Sequence, residues 1–203
     1  MAELRALSAR WRVGCDAIQT TALLGYAELL IRWNQRINLT GARSVAAVVA
    51  EHYPDAFALA RRLDRPARLV DVGSGGGLPA IPLALLRPEL TIRLCEPIAK
   101  KGAFLRTAIR ELQLAERVSL GSGRGEDLAD KAPGSFDVAT SRATFEPGAW
   151  LGLGRRLVRP GGRVFVLTVP GSSVAELGSA ETYAEGRRLI VEVEVGVEVE
   201  VES

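Results

Sequence analysis

The stretch 68–82, RLVDVGSGGGLPAIP, decides the fold. Leu69 and Val70 lead into Asp71, glycines follow at 73, 75 and 77, and a helix-compatible run begins after them. This reads as a buried parallel strand, a tight turn and a helix N-terminus, the place where nucleotide-like groups sit in open α/β sheets. Glycine there lets the backbone turn sharply and approach a bound group with no Cβ in the way. A dinucleotide fingerprint demands G-x-G-x-x-G, and its third glycine position is Leu78 here. What stands instead is D-x-G-x-G-x-G.

Working outward from this loop, the chain alternates strands and helices. Strands are expected near 68–72, 90–96, 117–121, 136–141 and 163–168, and helices near 79–86, 99–112, 126–130 and 146–157. Such alternation gives right-handed crossovers and an α/β fold: a mostly parallel, Rossmann-like sheet with helices on both faces. The strand ends that would face a ligand are Asp71–Gly77, Glu96, Gly121–Glu126 and Thr140–Ala143.

Residues 1–65 read as a helical extension packed on this core, with the core itself spanning 66–203. Thr20 or Thr21 is a candidate cap for a helix carrying Leu23, Leu24, Ala27, Leu30 and Ile31, with Trp33 closing its apolar face. Asn38-Leu39-Thr40-Gly41 breaks the pattern. Ser44 then caps a helix through Val45, Val48 and Val49, and Pro54 predicts an interruption before a third run to Leu63. The tail RRLIVEVEVGVEVEVES alternates valine and glutamate, a strand period, with Gly196 at a bulge or bend. It predicts a terminal antiparallel pair whose glutamates form the solvent side and discourage edge pairing.

At 203 residues the chain fits one decorated α/β domain, and 47% hydrophobic with 25% charged residues is ordinary for a globular protein. MAELRALSARWRVG carries charges too early for a secretory signal, and no apolar run is long enough to span a membrane. Cys15 and Cys95 lie in no metal or redox spacing, which suits a reducing, cytoplasmic location. His52 is the single histidine, so neither a zinc site nor a histidine-based triad is expected, and no metal is. Net charge is +2, but the segment from Glu185 onward is acidic and the remainder correspondingly basic. Arginines at 32/36, 61/62/65, 106/110 and 155/156/159, with Lys100–Lys101 between, are compatible with a phosphate-facing surface or with ordinary solvated helices.

D-x-G-x-G-x-G resembles motif I of the class I S-adenosylmethionine (SAM) methyltransferases. Residues 73–78 would bring backbone amides to the methionine end. Glu96, at the end of the second strand, is the expected acceptor for the ribose hydroxyls, about 20 residues beyond the loop. Gly125-Glu126-Asp127 stands where adenine would lie, and Thr140-Ser141-Arg142-Ala143 where a substrate would meet the methyl group. That tetrapeptide lacks the [DN]-P-P-[YFW] turn of amino-group nucleic-acid methyltransferases. Neither cysteine is placed for a carbon-5 pyrimidine enzyme, and no acidic cluster suits a metal-dependent O-methyltransferase. A nucleophile that needs no covalent help and no deprotonation remains, and guanine N7 is one.

From about Leu23 to Leu189 the chain resembles the GidB/RsmG family, bacterial small-subunit (16S) ribosomal RNA guanine-N7 methyltransferases. WNQRINLT (33–40) is similar to the family's W-N-x-x-x-N-L-T, and His52 with Asp55 matches H-x-x-D. DVGSGGGLPAIPLALLRP (71–88) matches the family's glycine loop almost throughout. EPIAKKGAFL (96–105), GRGED (123–127) and SRA (141–143) resemble its later motifs in order. The resemblance implies SAM as cofactor, ribosomal RNA or the assembling small subunit as partner, and a cytoplasmic enzyme, with a monomer expected. It makes Gly73, Leu78, Gly125, Glu126 and Arg142 cofactor contacts, beside Asp71, Gly75, Gly77 and Glu96, which the loop and the strand end already offer. Arg142 has a second reading, a hydrogen bond to guanine O6. Asn38 and His52 would flank the site as positioning residues, and Lys100, Lys101 and Arg124 would meet RNA.

The chain departs from the family at Glu51, where arginine is usual, at Thr168, where lysine is, and in its acidic tail. Two other readings therefore stand beside the first. One is a small-molecule SAM-dependent methyltransferase; the other is a SAM-binding, ribosome-associated protein without turnover.

Overall fold

The computed structural model describes residues 2–142 and 144–196. Three helices lead: α1 (Ala2–Trp11), α2 (Ala17–Asn34) and α3 (Val45–Arg62). Strand–helix alternation follows: β1 (Ala67–Val72), α4 (Ala80–Leu86), β2 (Leu90–Cys95), α5 (Ala99–Glu111), β3 (Val118–Gly121), α6 (Gly125–Lys131), β4 (Phe136–Arg142), α7 (Pro147–Leu157) and β5 (Val158–Thr168). A hairpin of β6 (Ser179–Tyr183) and β7 (Arg188–Glu194) completes the sheet. Its order is β3-β2-β1-β4-β5-β7-β6. The first five strands run parallel, and β7 runs antiparallel to both β5 and β6.

Strand pleating divides the interior in two. Leu69, Ile92, Leu94 and Val138 pack on the side of the N-terminal helices with α4 and α5. Val70, Val72, Ala139, Val164 and Val166 pack on the opposite side with Trp150, Leu153 and Leu157 of α7. Leu4, Leu30, Phe57, Leu69 and Ile190 belong to one cluster, so the N-terminal helices share a core with the sheet.

Three local expectations are corrected. The cap of α2 is Asp16, not Thr20 or Thr21: the Gln19 amide donates to Asp16 Oδ1 (2.7 Å) and the Asp16 amide to Gln19 Oε1 (3.0 Å). This reciprocal box, D-x-x-Q, satisfies two otherwise orphaned donors and starts the helix a turn earlier. Pro54 does not interrupt α3. Tyr53 through Ala60 are all buried, and that packing outweighs the cost of a helix-interior proline, about 3 kcal/mol. The antiparallel pair begins upstream of the tail, at Ser179, while residues 197–203 of the Val/Glu tail lie outside the described residues.

Glu192 belongs to the stripe expected to be purely solvent-facing, yet it ion-pairs with Arg163 (2.9 Å) and Arg62 (3.6 Å). Glu181 pairs with Arg61 and Arg62. The hairpin's acidic residues thus fasten it to the end of α3.

Candidate active site

The loop after β1 is held from three sides. The Gly73 and Ser74 amides donate to the Cys95 carbonyl at 2.9 and 3.1 Å, tying the loop to the end of β2. Ser74 Oγ donates to the Asp71 carbonyl at 2.9 Å, and the Tyr26 hydroxyl of α2 donates to the Gly76 carbonyl. Gly73, Gly75 and Gly77 all have positive φ (73°, 54° and 76°), which favours glycine at each. Their surroundings differ. A Cβ on Gly73 would lie 2.3 Å from Thr144 Oγ1, and one on Gly77 2.6 Å from Ile81 Cγ1. A Cβ on Gly75 would come no closer to the protein than the Gly73 carbonyl, at 3.8 Å. The loop is therefore open at Gly75.

Glu96 is 4% exposed and sits against that opening. Its Oε2 accepts from the Gly75 amide and its Oε1 from the Ile98 amide, each at 2.8 Å. A carboxylate has about four acceptor positions, so two remain for hydroxyl donors. The same side chain thus shapes the loop and keeps capacity for a diol. Glu96→Ala is expected to weaken SAM about ten-fold or more, since a bond to a charged acceptor contributes about 1.5–3 kcal/mol. Calorimetry checks this, and a change below about two-fold would move the ribose contact to another residue.

Asp71 is 1% exposed and its Oδ2 has no hydrogen-bond partner. Burial pushes its carboxyl up to about 7; Ser74 and Arg142 pull it back, while Glu96 adds to the rise. Its register partner on β4, Thr140, also has a buried hydroxyl without a partner. Two buried polar groups without partners thus stand at register-paired positions near the ends of β1 and β4.

A second constellation lies between α3, β4 and the hairpin. Asp55 of α3, 1% exposed, accepts from Arg142 Nη1 (3.0 Å), the Tyr183 hydroxyl (2.7 Å) and Arg188. His52, one turn before, accepts at Nδ1 from Arg142 Nη1 (2.9 Å) and is 2.6 Å from Thr40 Oγ1 through Nε2. The Arg142 donor fixes the proton of the neutral ring on Nε2. Burial, then Arg142 and Arg188, holds the ring neutral by lowering its pKa to about 4. His52 is thus a fixed acceptor at neutral pH. His52, Asp55, Arg142, Tyr183 and Arg188 line a cavity of about 700 Å³, together with Glu51, Phe145, Leu167, Thr168 and Arg187.

The sequence candidates separate accordingly. Asp71, Gly73, Gly75, Gly77 and Glu96 come together at the loop, and Arg142 with His52 at the cavity. Leu78 is buried in the core and presents no side chain to a ligand. Gly125 opens α6 where a Cβ would lie 2.5 Å from Val72 Cγ1, a packing reason for glycine, and Glu126 beside it is exposed. Asn38 is exposed, whereas Asn34 organises that turn: its Oδ1 accepts from the Leu39 and Thr40 amides and its Nδ2 donates to the Thr40 carbonyl. Lys100 is exposed and Lys101 half-buried at the start of α5, outside the large cavity. Arg124 lines a smaller one of about 190 Å³ with Arg93, Asp127 and Lys131. Ala143, the last residue of the SRA motif, lies outside the described residues. Sequence reasoning passed over Asn34, Tyr183 and Arg188. Asn34 did carry a signal, as the second residue of the W-N-x-x-x-N-L-T motif, but nothing in the motif tells it apart from Asn38.

The family described as GidB, rRNA small subunit methyltransferase G, matches residues 19–186. The chain belongs to this family. Its relatives include ribosomal RNA small subunit methyltransferase G of Xanthomonas axonopodis pv. citri (strain 306), 37% identical over 84% of this chain and 79% of that one. The protein of the same name from Anaeromyxobacter dehalogenans (strain 2CP-1 / ATCC BAA-258) is 37% identical over 86% and 80%. That from Leptothrix cholodnii (strain ATCC 51168 / LMG 8142 / SP-6) is 40% identical over 74% and 70%. Among solved structures, the O-methyltransferase TomG from Streptomyces achromogenes, in complex with SAM, superposes with a TM-score of 0.59 at 19% identity over 91% of this chain and 92% of that one. The tRNA (m1A58) methyltransferase TrmI from Aquifex aeolicus gives 0.55 at 18% over 70% and 69%. These likenesses establish the class I SAM methyltransferase fold. Among the described residues no helix is long and apolar enough to cross a membrane, and no cluster suits a metal ion.

Proposed function

We propose that this member of the rRNA small subunit methyltransferase G family transfers a methyl group from SAM to N7 of a guanine in small-subunit ribosomal RNA, as a cytoplasmic monomer. The observation that carries the cofactor assignment is the unpartnered, buried Oδ2 of Asp71 beside a glycine loop open at Gly75. An α-ammonium supplies the missing donor, and the loop amides suit the adjoining carboxylate. Glu96 would hold the ribose hydroxyls, and the turn around Gly125 and Glu126 would border the adenine. When bound, SAM supplies an electrophilic methyl group on a sulfonium. The chain's task is then to position the acceptor, since guanine N7 carries a free lone pair and no residue has to remove a proton.

The cavity beside Arg142 is the acceptor pocket in this reading. Nη1 of Arg142 is committed to Asp55 and His52, both on α3, and Arg142 lines the cavity with them. That position favours a role toward guanine O6 over a cofactor contact. Helix α3, from the 1–65 segment, would serve as the wall that holds the RNA base. Lys100, Lys101 and Arg124, outside the cavity, would meet phosphates around it.

The test is incubation of the protein with labelled SAM and unmodified small-subunit RNA, followed by mapping of 7-methylguanosine. Replacing Lys100 and Lys101 together by alanine is expected to weaken RNA binding and flatten its salt dependence by about one unit for each phosphate no longer neutralised, with SAM affinity intact. One observation favours the small-molecule reading: Glu51 and Thr168, both at positions basic in the family, line the same cavity. Methylation that is indifferent to RNA, or RNA binding without salt dependence, would decide for it. SAM binding with no transfer to any RNA would decide for a protein without turnover.

A further inference from the structure

The cavity carries acceptors that the reading above leaves unused. Pro54 has no N–H, so the carbonyl of Ala50, one turn earlier in α3, is denied its usual helical donor. Ala50 and the next residue, Glu51, are both exposed and both line the cavity. Among the described residues the Glu51 carboxylate has no ion-pair partner. Other parts of the lining are apolar or aromatic: Phe145, Leu167, Val169 and Tyr183. Phe145 is fixed by stacking on Trp150, with ring centroids 5.9 Å apart and planes at 23°. Arg142 and Arg188 bring donors from β4 and β7.

Apolar walls with a few placed donors and acceptors are the chemistry that receives an extruded base and reads its Watson–Crick edge. A carboxylate at this wall repels phosphate, so it serves a base edge better than a backbone. Guanine alone among the four bases presents two adjacent donors there, N1–H and the 2-amino group. Adenine and cytosine place an acceptor at the middle position, and uracil places a single donor between two carbonyls. We propose that Glu51, which stands where the family usually has arginine, accepts, with the freed Ala50 carbonyl beside it, from N1–H and the 2-amino group of the guanine that is methylated, a specificity contact particular to this chain. This rests on the RNA methyl-transfer reading of the site.

The reaction itself strengthens the contact. The N7 lone pair forms the new N–C bond, the C–S pair leaves with sulfur, and the positive charge passes from sulfonium to the purine. No proton moves in that step. The charged ring makes N1–H a stronger donor, so a carboxylate accepting from it binds the transition state better than the ground state.

The experiment compares guanosine with inosine, which lacks only the 2-amino group, at the mapped position in otherwise unmodified small-subunit RNA. Wild-type kcat/KM is expected to fall about ten-fold or more on the inosine RNA. Glu51→Ala should methylate guanosine RNA poorly and treat the two RNAs alike within about two-fold, with SAM affinity and thermal melting unchanged. Glu51→Gln, which keeps one acceptor oxygen, should fall between. Equal wild-type rates on both RNAs overturn the proposal, as does undiminished discrimination by Glu51→Ala. A wild-type protein that binds SAM and methylates no small-subunit RNA overturns the RNA reading and this proposal with it, a result distinct from the other two.

Discussion

Replacing Asp55 with alanine is expected to lower the melting temperature by on the order of 10 °C and to abolish methyl transfer. Asp55 is 1% exposed and receives hydrogen bonds from Arg142, Arg188 and Tyr183. Removing one partner from a buried ion pair costs about 3–5 kcal/mol, because the other charges stay behind without compensation. The arginine side chains are 21% and 28% exposed, so water will relieve part of this, and the lower end of the range applies. At about 2–4 °C per kcal/mol for a chain of this length, that remains a large shift. Asp55→Asn separates the causes. It keeps an acceptor for the Tyr183 hydroxyl but discards the charge, so it should destabilise less while still releasing Arg142. By contrast, Arg61→Ala removes an exposed pair with Glu181 and should change stability by no more than about 1 kcal/mol. A melting temperature of Asp55→Ala within about 2 °C of wild type would mean that the carboxylate does not organise the cluster.

Much of this arrangement was legible in the chain, and the reason is local. Asp71, the three glycines and Glu96 declare themselves because a strand, a tight turn and a strand end each impose a residue type at a fixed spacing. The alternating core of strands and helices follows from periodicity alone. The Asp55 cluster does not. Its members come from α3, β4, β6 and β7, and only the sheet order β4-β5-β7-β6 brings them to one cavity. The H-x-x-D motif singles out Asp55 with His52, but it does not name the aspartate's partners, which lie 87, 128 and 133 residues away along the chain. Pro54 misled for a related reason: local propensity predicts a break, whereas tertiary burial of eight consecutive residues, Tyr53 to Ala60, holds the helix together. Asn38 and Asn34 show the finer limit. Both flank the same turn, and only the folded backbone reveals that Asn34 makes its hydrogen bonds.

Asp71→Asn is expected to stabilise the fold at alkaline pH while destroying SAM affinity, two effects of opposite sign from one atom. The buried carboxyl titrates at about 7 in the folded protein, against an ordinary 3.8. Between those values the folded state keeps a proton that the unfolded state has released. Stability therefore falls as pH rises through this window, and the loss is complete above about pH 7. At about 1.4 kcal/mol per unit, ionising Asp71 in the fold costs up to about 4 kcal/mol. An amide carries no such penalty, but its N–H₂ is a new donor in a buried position. That buried, unmet amide donor would cost about 1–3 kcal/mol, so the net gain at pH 8 should be about 1–3 kcal/mol, turning into a net loss of about 1–3 kcal/mol near pH 4, where the ionisation penalty is gone. The cofactor pulls the other way. Pairing with an ammonium requires the carboxylate, so wild-type SAM affinity should rise as pH passes through about 7. The Asp71→Asn variant should bind at least about ten-fold more weakly and without that pH dependence. Melting curves and calorimetry at pH 5, 6, 7 and 8 read both effects on the same two proteins. A variant that melts lower than wild type at pH 8 would place a compensating charge beside Asp71 even without the cofactor. Unchanged SAM affinity would remove Asp71 from the binding site.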